Sequence, residues 1–389
     1  MATRTTIGIS NCRGRRPHSE LRSWQAKGGR MGGNLVSVII PTFNRAYCLA
    51  RTLDSVLAQT HVELQVLVID DGSDDDTMAL VQTRYGHDPR IRYMHQANRG
   101  VTGARNTGLA AATGDFVAFL DSDDTWQPWK IELQLACMRQ FPDVGMVWTD
   151  MEAIDPAGRV FDRAYLRHMY SAYRFFPQSD LFSASYPLVK IAPALSAVVG
   201  QAGFHTGMIF SQMIMGNLVH TSTVLLRRER LDRVGIFNEG LRYSGEDYDF
   251  HLRTCRLGTV GFLDLSTIRY QRGMPDRLTR HEYRIHTATN FLNTIVPIIA
   301  EARAEIHLPQ SMLNAVLADA HLWIGEVQFD MNDVVSARQH FLASLSHRVF
   351  QPHVWLLYIA CLIPAISRAW LRSRYRAIKQ LLRQRPGGT

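Results

Sequence analysis

The sequence predicts an α/β fold built on a mostly parallel sheet sandwiched by helices, with a C-terminal α-helical extension, and three observations lead there. Short apolar runs rich in β-branched residues recur at Val36–Ile40, Leu64–Ile69, Ile91–Met94 and Phe116–Leu120. They do not alternate with polar residues, as befits strands covered on both faces by helices. Stretches of helical periodicity separate them, and each run stops at a polar cluster, where an open parallel sheet keeps its ligands.

The elements follow in order. After Pro41, the spacing of Leu49, Leu53, Val56 and Leu57 predicts a helix. Further helices are expected over Asp74–Thr83, over Gly103–Ala112 and from near Pro128. Between 155 and 217 the pattern breaks, and an aromatic- and Met-rich segment that includes Tyr165, Tyr170, Phe182 and Phe204 intervenes. A strand is then expected at Leu218–Leu226, with His220 entering it on the side that faces the cleft; a packed or hydrogen-bonded histidine is the favoured reading, and a metal or ligand-binding one is the alternative. From Gln310 the sequence is helical, and Trp323, Gly325, Phe329, Ala337, Phe341 and Leu345 resemble one tetratricopeptide-like hairpin, expected to pack on the domain before it.

Composition narrows the class. With 389 residues, 46% hydrophobic and 20% charged, the chain suits one large domain and an appendage. Its net charge of +8 sits mostly at the two ends, which argues against nucleic acid as a partner. Cys12, Cys48, Cys137, Cys255 and Cys361 show neither a C-x-x-C pair nor zinc spacing, so a reducing cytoplasm is expected. Residues 1–34 are rich in Arg, Gly and Ser and lack an apolar signal core. They are expected to be a disordered extension, with Met31 as an alternative start. The longest apolar stretch, Val354–Ile366, is too short to span a membrane and is broken by Pro364. Beyond it Arg368, Arg372, Arg374, Arg376, Lys379 and Arg383 occur with no acidic residue after Ser367. Together with Trp355, Leu356, Leu357, Ile359, Leu362 and Trp370 they fit two readings, a solvated basic helix or an interfacial helix drawn to an anionic membrane surface. The expected division is 1–34, a domain at 35–285 with a variable segment at 155–217, and a helical region at 286–389 with a basic amphipathic end.

Four motifs carry chemistry. Val117–Asp124 ends a buried strand in Asp121, Asp123 and Asp124, a crowding of carboxylates that calls for a divalent cation or else caps the next helix. Pro41-Thr42-Phe43-Asn44-Arg45 places an aromatic at another strand end. Ile69–Asp76 ends a strand in Asp70 and Asp71, whose carboxylates can accept hydrogen bonds from a base or ribose, while Ser73 and Asp74 suit helix capping. Asn98–Asn106 brings Arg99 and Arg105 to a Gly-containing helix entry suited to an anion. Downstream, Gly245-Glu246-Asp247-Tyr248-Asp249-Phe250 opens a helix with carboxylates, a favourable place for them beside the helix dipole.

Taken together, VSVIIPTFNR, LVIDDGSDDDT, NRGVTGARNTGLAAATGDFVAFLDSDD and SGEDYDFHLR resemble the inverting family 2 glycosyltransferases of the GT-A fold over about Leu35–Leu265. That resemblance implies a nucleotide-sugar pocket at Pro41, Phe43, Asn44, Asp71, Arg105 and Asp121, with Asp71 reaching toward the base. It implies Mg²⁺ or Mn²⁺ at Asp123 and Asp121, and leaves the share of Asp124 open. It makes Asp247 the general base, with Glu246 holding the acceptor or tuning Asp247, and Arg253 structural. An ordinary carboxylate is ionised at neutral pH, so Asp247 needs no shifted pKa to accept a proton. The implied partners are a nucleotide-diphospho-sugar, most often UDP-linked, and a glycan or lipid-linked acceptor in cell-envelope or polysaccharide synthesis. The implied location is cytoplasmic, with peripheral attachment at the inner face of the plasma membrane. Tyr270, Gln271 and Arg272 are placed in a loop closing over the diphosphate. Two alternatives stand beside this reading. A sugar-phosphate nucleotidyltransferase would want a Gly-rich loop after the first strand, where Pro41-Thr42-Phe43-Asn44 stands; a non-catalytic scaffold would not require Asp121, Asp123 and Asp247.

Overall fold

A computed structural model describes residues 33–241, 243–273 and 283–363. The expectations for residues 1–32, for the basic end beyond 363 and for most of the segment after Arg272 lie outside the described residues.

The first strand, β1 (Val36–Thr42), is buried along its whole length, which explains a mostly apolar sequence in which Ser37 and Thr42 are the polar residues. It pairs in parallel with β2 (Leu64–Asp70) on one side and β4 (Phe116–Phe119) on the other, and β3 (Ile91–His95) forms the edge beyond β2. Helices α1 (Ala46–Leu57), α2 (Thr77–Tyr85) and α3 (Gly100–Ala111) make the crossovers. Helix α3 lies close on β1 because residue 108 is glycine: a Cβ there would come within 2.4 Å of Ile39 Cγ2.

Two helix starts depart from expectation. Helix α2 begins at Thr77, not Asp74, because the intervening residues lock loops together. Asp74 N–H donates to Asn44 Oδ1 at 2.9 Å, and Asp75 Oδ1 accepts from Thr77 N–H at 3.0 Å. Helix α3 begins three residues early, at Gly100, whose φ of 75° suits glycine.

After β4 come the short β5 (Thr125–Trp126), α4 (Lys130–Gln140), β6 (Met146–Ile154) and β7 (Val160–Asp162). The segment expected to be irregular contains short helices α5 (Leu166–Met169), α6 (Gln178–Leu181), α7 (Leu188–Ile191), α8 (Ser196–Val199) and α9 (Phe210–Met213), with β8 (Ala184–Pro187) and β9 (Gly203–Gly207) between them. The strand expected at Leu218–Leu226 shrinks to β10 (Leu225–Arg227), preceded by a 3₁₀ turn at Thr221–Thr223. Local bonding explains this: the backbone N–H and Oγ1 of Thr223 both donate to His220 O, at 3.0 and 2.6 Å, and bend the chain.

Strand β10 is antiparallel to both β4 and β6 and lies between them. The sheet runs β3-β2-β1-β4-β10-β6-β11-β9-β8, with β11 (Val260–Gln271) parallel to β6. Tyr270 and Gln271 therefore belong to a strand, paired with Ala153 and Ile154, and not to a loop. Helices α10 (Arg228–Val234) and α11 (Glu246–Arg256) follow β10. Phe119 of β4 meets Phe237 and Phe250 edge-on at 5.3 and 5.9 Å, and those two rings stack at 4.1 Å, which seats the start of α11 beside the end of β4.

The C-terminal part holds α12 (Arg284–Glu301), α13 (Gln310–Asp330), α14 (Val334–His347) and α15 (Pro352–Ala360). As the pattern predicted, α13 and α14 form a hairpin, with Phe341 packed where a Cβ on Gly325 would clash at 2.7 Å. Leu313, Val316 and Ala320 join the main core, while Phe329, Phe341, Leu345 and Val354 make a smaller one. Among the described residues, no helix is long and apolar enough to cross a membrane.

Candidate active site

The polar motifs converge at the carboxyl edge of the parallel strands. Pro41 is buried in β1 beside Ile69, and Phe43 follows with 47% of its surface exposed. Asn44 adopts a left-handed φ of 52°, which asparagine tolerates, and fastens this loop to its neighbour: its N–H donates to Ser73 Oγ at 2.8 Å. Asp71 is buried, and its Oδ1 accepts from Gln96 Nε2 at 2.7 Å and from the Arg99 backbone N–H at 2.9 Å. Beside it, Asp70 accepts from Ser73 N–H at 2.9 Å and from the Tyr93 hydroxyl.

Arg105 ties two of the predicted groups together. Buried against the Phe237 ring, it donates to Asp121 Oδ1 and to Glu246 Oε1, each at 2.8 Å. The end of β4 is thus joined through one guanidinium to the first turn of α11, although Asp121 and Glu246 are far apart in sequence. Gly245 caps that helix with φ 91°, and Glu246, Asp247 and Asp249 fill its first turn, where the helix dipole favours negative charge. Asp247 Oδ1 accepts from Tyr248 N–H at 2.7 Å. Burial pushes Glu246 and Asp247 above the ordinary carboxylate range; Asp247 adds to this for Glu246, and Arg105 opposes it in both. For Asp247 the upward direction strengthens a base, beyond the unshifted carboxylate that the sequence required. Arg253 is structural, as expected, donating to Asp249 and to the carbonyls of Val234 and Ile236.

The acidic end of β4 is only partly compensated. Against the upward pull of burial, Arg105 and His220 hold Asp121 below the ordinary range. Asp123 is pushed up to about 7 by burial and then by Asp124 and Asp121, with Arg45 no nearer than 4.0 Å. Asp124 is fully buried; its Oδ1 accepts from Gln271 N–H at 3.2 Å, and its Oδ2 has no hydrogen-bond partner among the described residues. An orphaned buried carboxylate oxygen among like charges is the arrangement a divalent cation relieves. Asp121, Asp124 and His220 each offer a ligand atom, all within 4.8 Å of one another, so the residues present fit such an ion.

Arg45, Asp124 and His220 are the parts that sequence patterns placed least well. His220 precedes β10 and does not lie within a strand; the turn at Thr221–Thr223 follows it, and its Nε2 lies 3.6 Å from Asp124 Oδ2. Ser222 in that turn accepts Asp121 N–H on Oγ at 3.1 Å and Trp126 Nε1–H on its carbonyl at 2.9 Å.

Residues 37–184 match the family model for glycosyl transferase family 2. An uncharacterized glycosyltransferase of Rickettsia felis is 30% identical over 285 residues, covering 73% of this chain and 40% of the relative. The chondroitin synthase of Escherichia coli is 36% identical over 137 residues, or 35% of this chain and 20% of that one. The chain thus spans less than half the length of these curated relatives. Among solved structures, residues 1–349 of TarS from S. aureus in complex with UDP-GlcNAc superpose with a TM-score of 0.50 at 17% identity, covering 88% of this chain and 92% of that one, which supports the fold. Residues 37–184 are thus a family 2 glycosyltransferase domain, set in a GT-A fold.

Proposed function

We propose that this chain is a metal-dependent, inverting glycosyltransferase that moves a sugar from a nucleotide-diphospho-sugar to an acceptor hydroxyl of a cell-surface glycan, a polysaccharide or a lipid-linked oligosaccharide. The observation that carries this reading is the Arg105 bridge, which joins the strand-end Asp121 to Glu246, the residue before Asp247. In this reading Pro41, Phe43, Asn44 and Asp71 line the nucleotide pocket, and Arg105 and Asp121 border the nucleotide. Asp247 takes the proton of the acceptor hydroxyl as its oxygen attacks the anomeric carbon. The bond from that carbon to the diphosphate breaks on the opposite face, and its electron pair leaves with the diphosphate oxygen, so one displacement inverts the configuration. Glu246, fixed by Arg105, orients the acceptor or tunes Asp247. A bound Mg²⁺ or Mn²⁺ at Asp121 and Asp123 would supply charge neutralisation to the leaving diphosphate.

The UDP-GlcNAc held by TarS favours a uridine donor here. The exposed Leu356, Ile359 and Leu362, just before the basic end, favour peripheral attachment of a cytoplasmic enzyme to an anionic membrane surface.

Calorimetric titration of the full chain with UDP, GDP, dTDP, CMP and ADP, with and without Mn²⁺, tests donor class. Asp247→Asn is expected to leave UDP binding intact and to lower the transfer rate by roughly 10²–10⁴-fold. Transfer at the parent rate would remove Asp247 as the base.

A further inference from the structure

His220 and Asp124 share an arrangement that packing alone does not explain. His220 is only 6% exposed and Asp124 is fully buried. One polar atom of each is held by the protein: His220 Nδ1 lies 3.2 Å from the Tyr170 hydroxyl, and Asp124 Oδ1 accepts from Gln271 N–H. The other atom of each, His220 Nε2 and Asp124 Oδ2, is buried without a hydrogen-bond partner. These two atoms face each other at 3.6 Å, beyond hydrogen-bond reach.

A hydrogen-bonded pair would close that gap, whereas two ligands of one ion must stay apart. Donor atoms at about 2.1 Å from an octahedral ion are separated by roughly 3 to 4 Å. The side on which each group is held also fits. If Tyr170 Oη accepts from Nδ1–H, the imidazole is fixed in the tautomer whose Nε2 carries the lone pair, which is how outer partners orient metal-bound histidines. The ring is further placed by Tyr270, edge-on at 5.2 Å.

We propose that His220, through Nε2, and Asp124, through Oδ2, are protein ligands of the divalent cation, completing a set with Asp121. This rests on the metal-dependent reading above and extends its ligands beyond Asp121 and Asp123. It also predicts which ion the site prefers. Mg²⁺ takes oxygen ligands almost exclusively, whereas an imidazole nitrogen raises the affinity for a transition metal, so the site selects Mn²⁺ over Mg²⁺.

The test is pulsed electron paramagnetic resonance of Mn²⁺ bound to the full chain with UDP, together with calorimetric titration of Mn²⁺ and Mg²⁺. Coupling of the Mn²⁺ spin to an imidazole nitrogen is expected in the parent protein, lost in His220→Asn and kept in any metal bound by Asp123→Asn. Mn²⁺ affinity is expected to fall roughly tenfold or more in His220→Asn and in Asp124→Asn, and the preference for Mn²⁺ over Mg²⁺ to shrink in the first. Tight Mn²⁺ binding without nitrogen coupling in the parent protein would overturn the role of His220 while leaving the metal-dependent reading in place. No Mn²⁺ binding, with or without UDP, would overturn both. The parent spectrum alone decides the first point, so a variant that fails to fold does not blunt the test.

Discussion

At the end of β2, Asp70 and Asp71 direct their carboxylates at donors from β3 and the loops around it: Tyr93, Gln96, Ser73 and the Arg99 backbone. At the end of β4, Asp121, Asp123 and Asp124 have Arg105 on one side and Arg45 at 4.0 Å, and one buried oxygen of Asp124 meets no donor. The residue types and the position on a parallel strand are the same. What differs is the supply of donors from neighbouring elements. An acidic strand end that the fold satisfies is held rigid, and one that the fold leaves short has the electrostatic deficit that an external cation would relieve.

Four variants would break or sharpen this comparison. The largest effect is expected from Arg105→Met, which leaves the buried Glu246 and the half-buried Asp121 without their shared cation. It should destabilise the protein by about 3–5 kcal/mol in denaturant unfolding. Added Mn²⁺ should recover part of that loss if the deficit lies at the end of β4. Next comes the pair Asp70→Asn and Asp124→Asn without metal. The first disturbs a satisfied group and should cost about 1–3 kcal/mol, while the second relieves repulsion and should cost nothing or stabilise. Equal losses in the two would break the comparison.

The smallest effect concerns Asp150, an intermediate case. Its Oδ1 accepts from Met151 and Leu166 N–H, at 2.7 and 3.1 Å, while its buried Oδ2 has no hydrogen-bond partner. Burial pushes this carboxyl up to about 6. The folded pKa thus lies above the unfolded value of 3.8, so protonation favours the fold. Stability from this group is present below about pH 4 and is lost as pH rises through 6. Asp150→Asn, which keeps the Oδ1 acceptor, should therefore stabilise the protein by about 1 kcal/mol at pH 8 and not at pH 4, read as melting temperature at the two pH values.

The first half of the sheet was legible because its elements are local: each strand, turn and helix from Val36 to Phe119 lies within a short window, and apolar runs ending in polar clusters announce them. Arg105, Asp121, Glu246 and Asp247 were named from motifs, and the fold brings them together. The strand expected over Leu218–Leu226 is shorter than its composition implies, because hydrogen bonds from Thr223 to the His220 carbonyl bend the chain ahead of β10. Short-range pattern could not reveal that Asp124 lacks a donor, since this depends on which atoms fail to arrive from β11 and the turn before β10. The segment from 155 to 217 stayed opaque for a related reason: β8 and β9 are short and are defined by pairing with each other and with β11 rather than by their own periodicity.

Strand β10 has a consequence for how the molecule assembles as it is made. Its three residues are the seam between β4 and β6, and they follow β4 by about a hundred residues of chain. A nascent polypeptide that has already released β1 to β4 and β6 must wait for Arg227 before the two halves of the sheet can be stitched. Until then the edges of β4 and β6 are open to pairing with the wrong partner, so the interval of synthesis between them is when this protein most needs a chaperone.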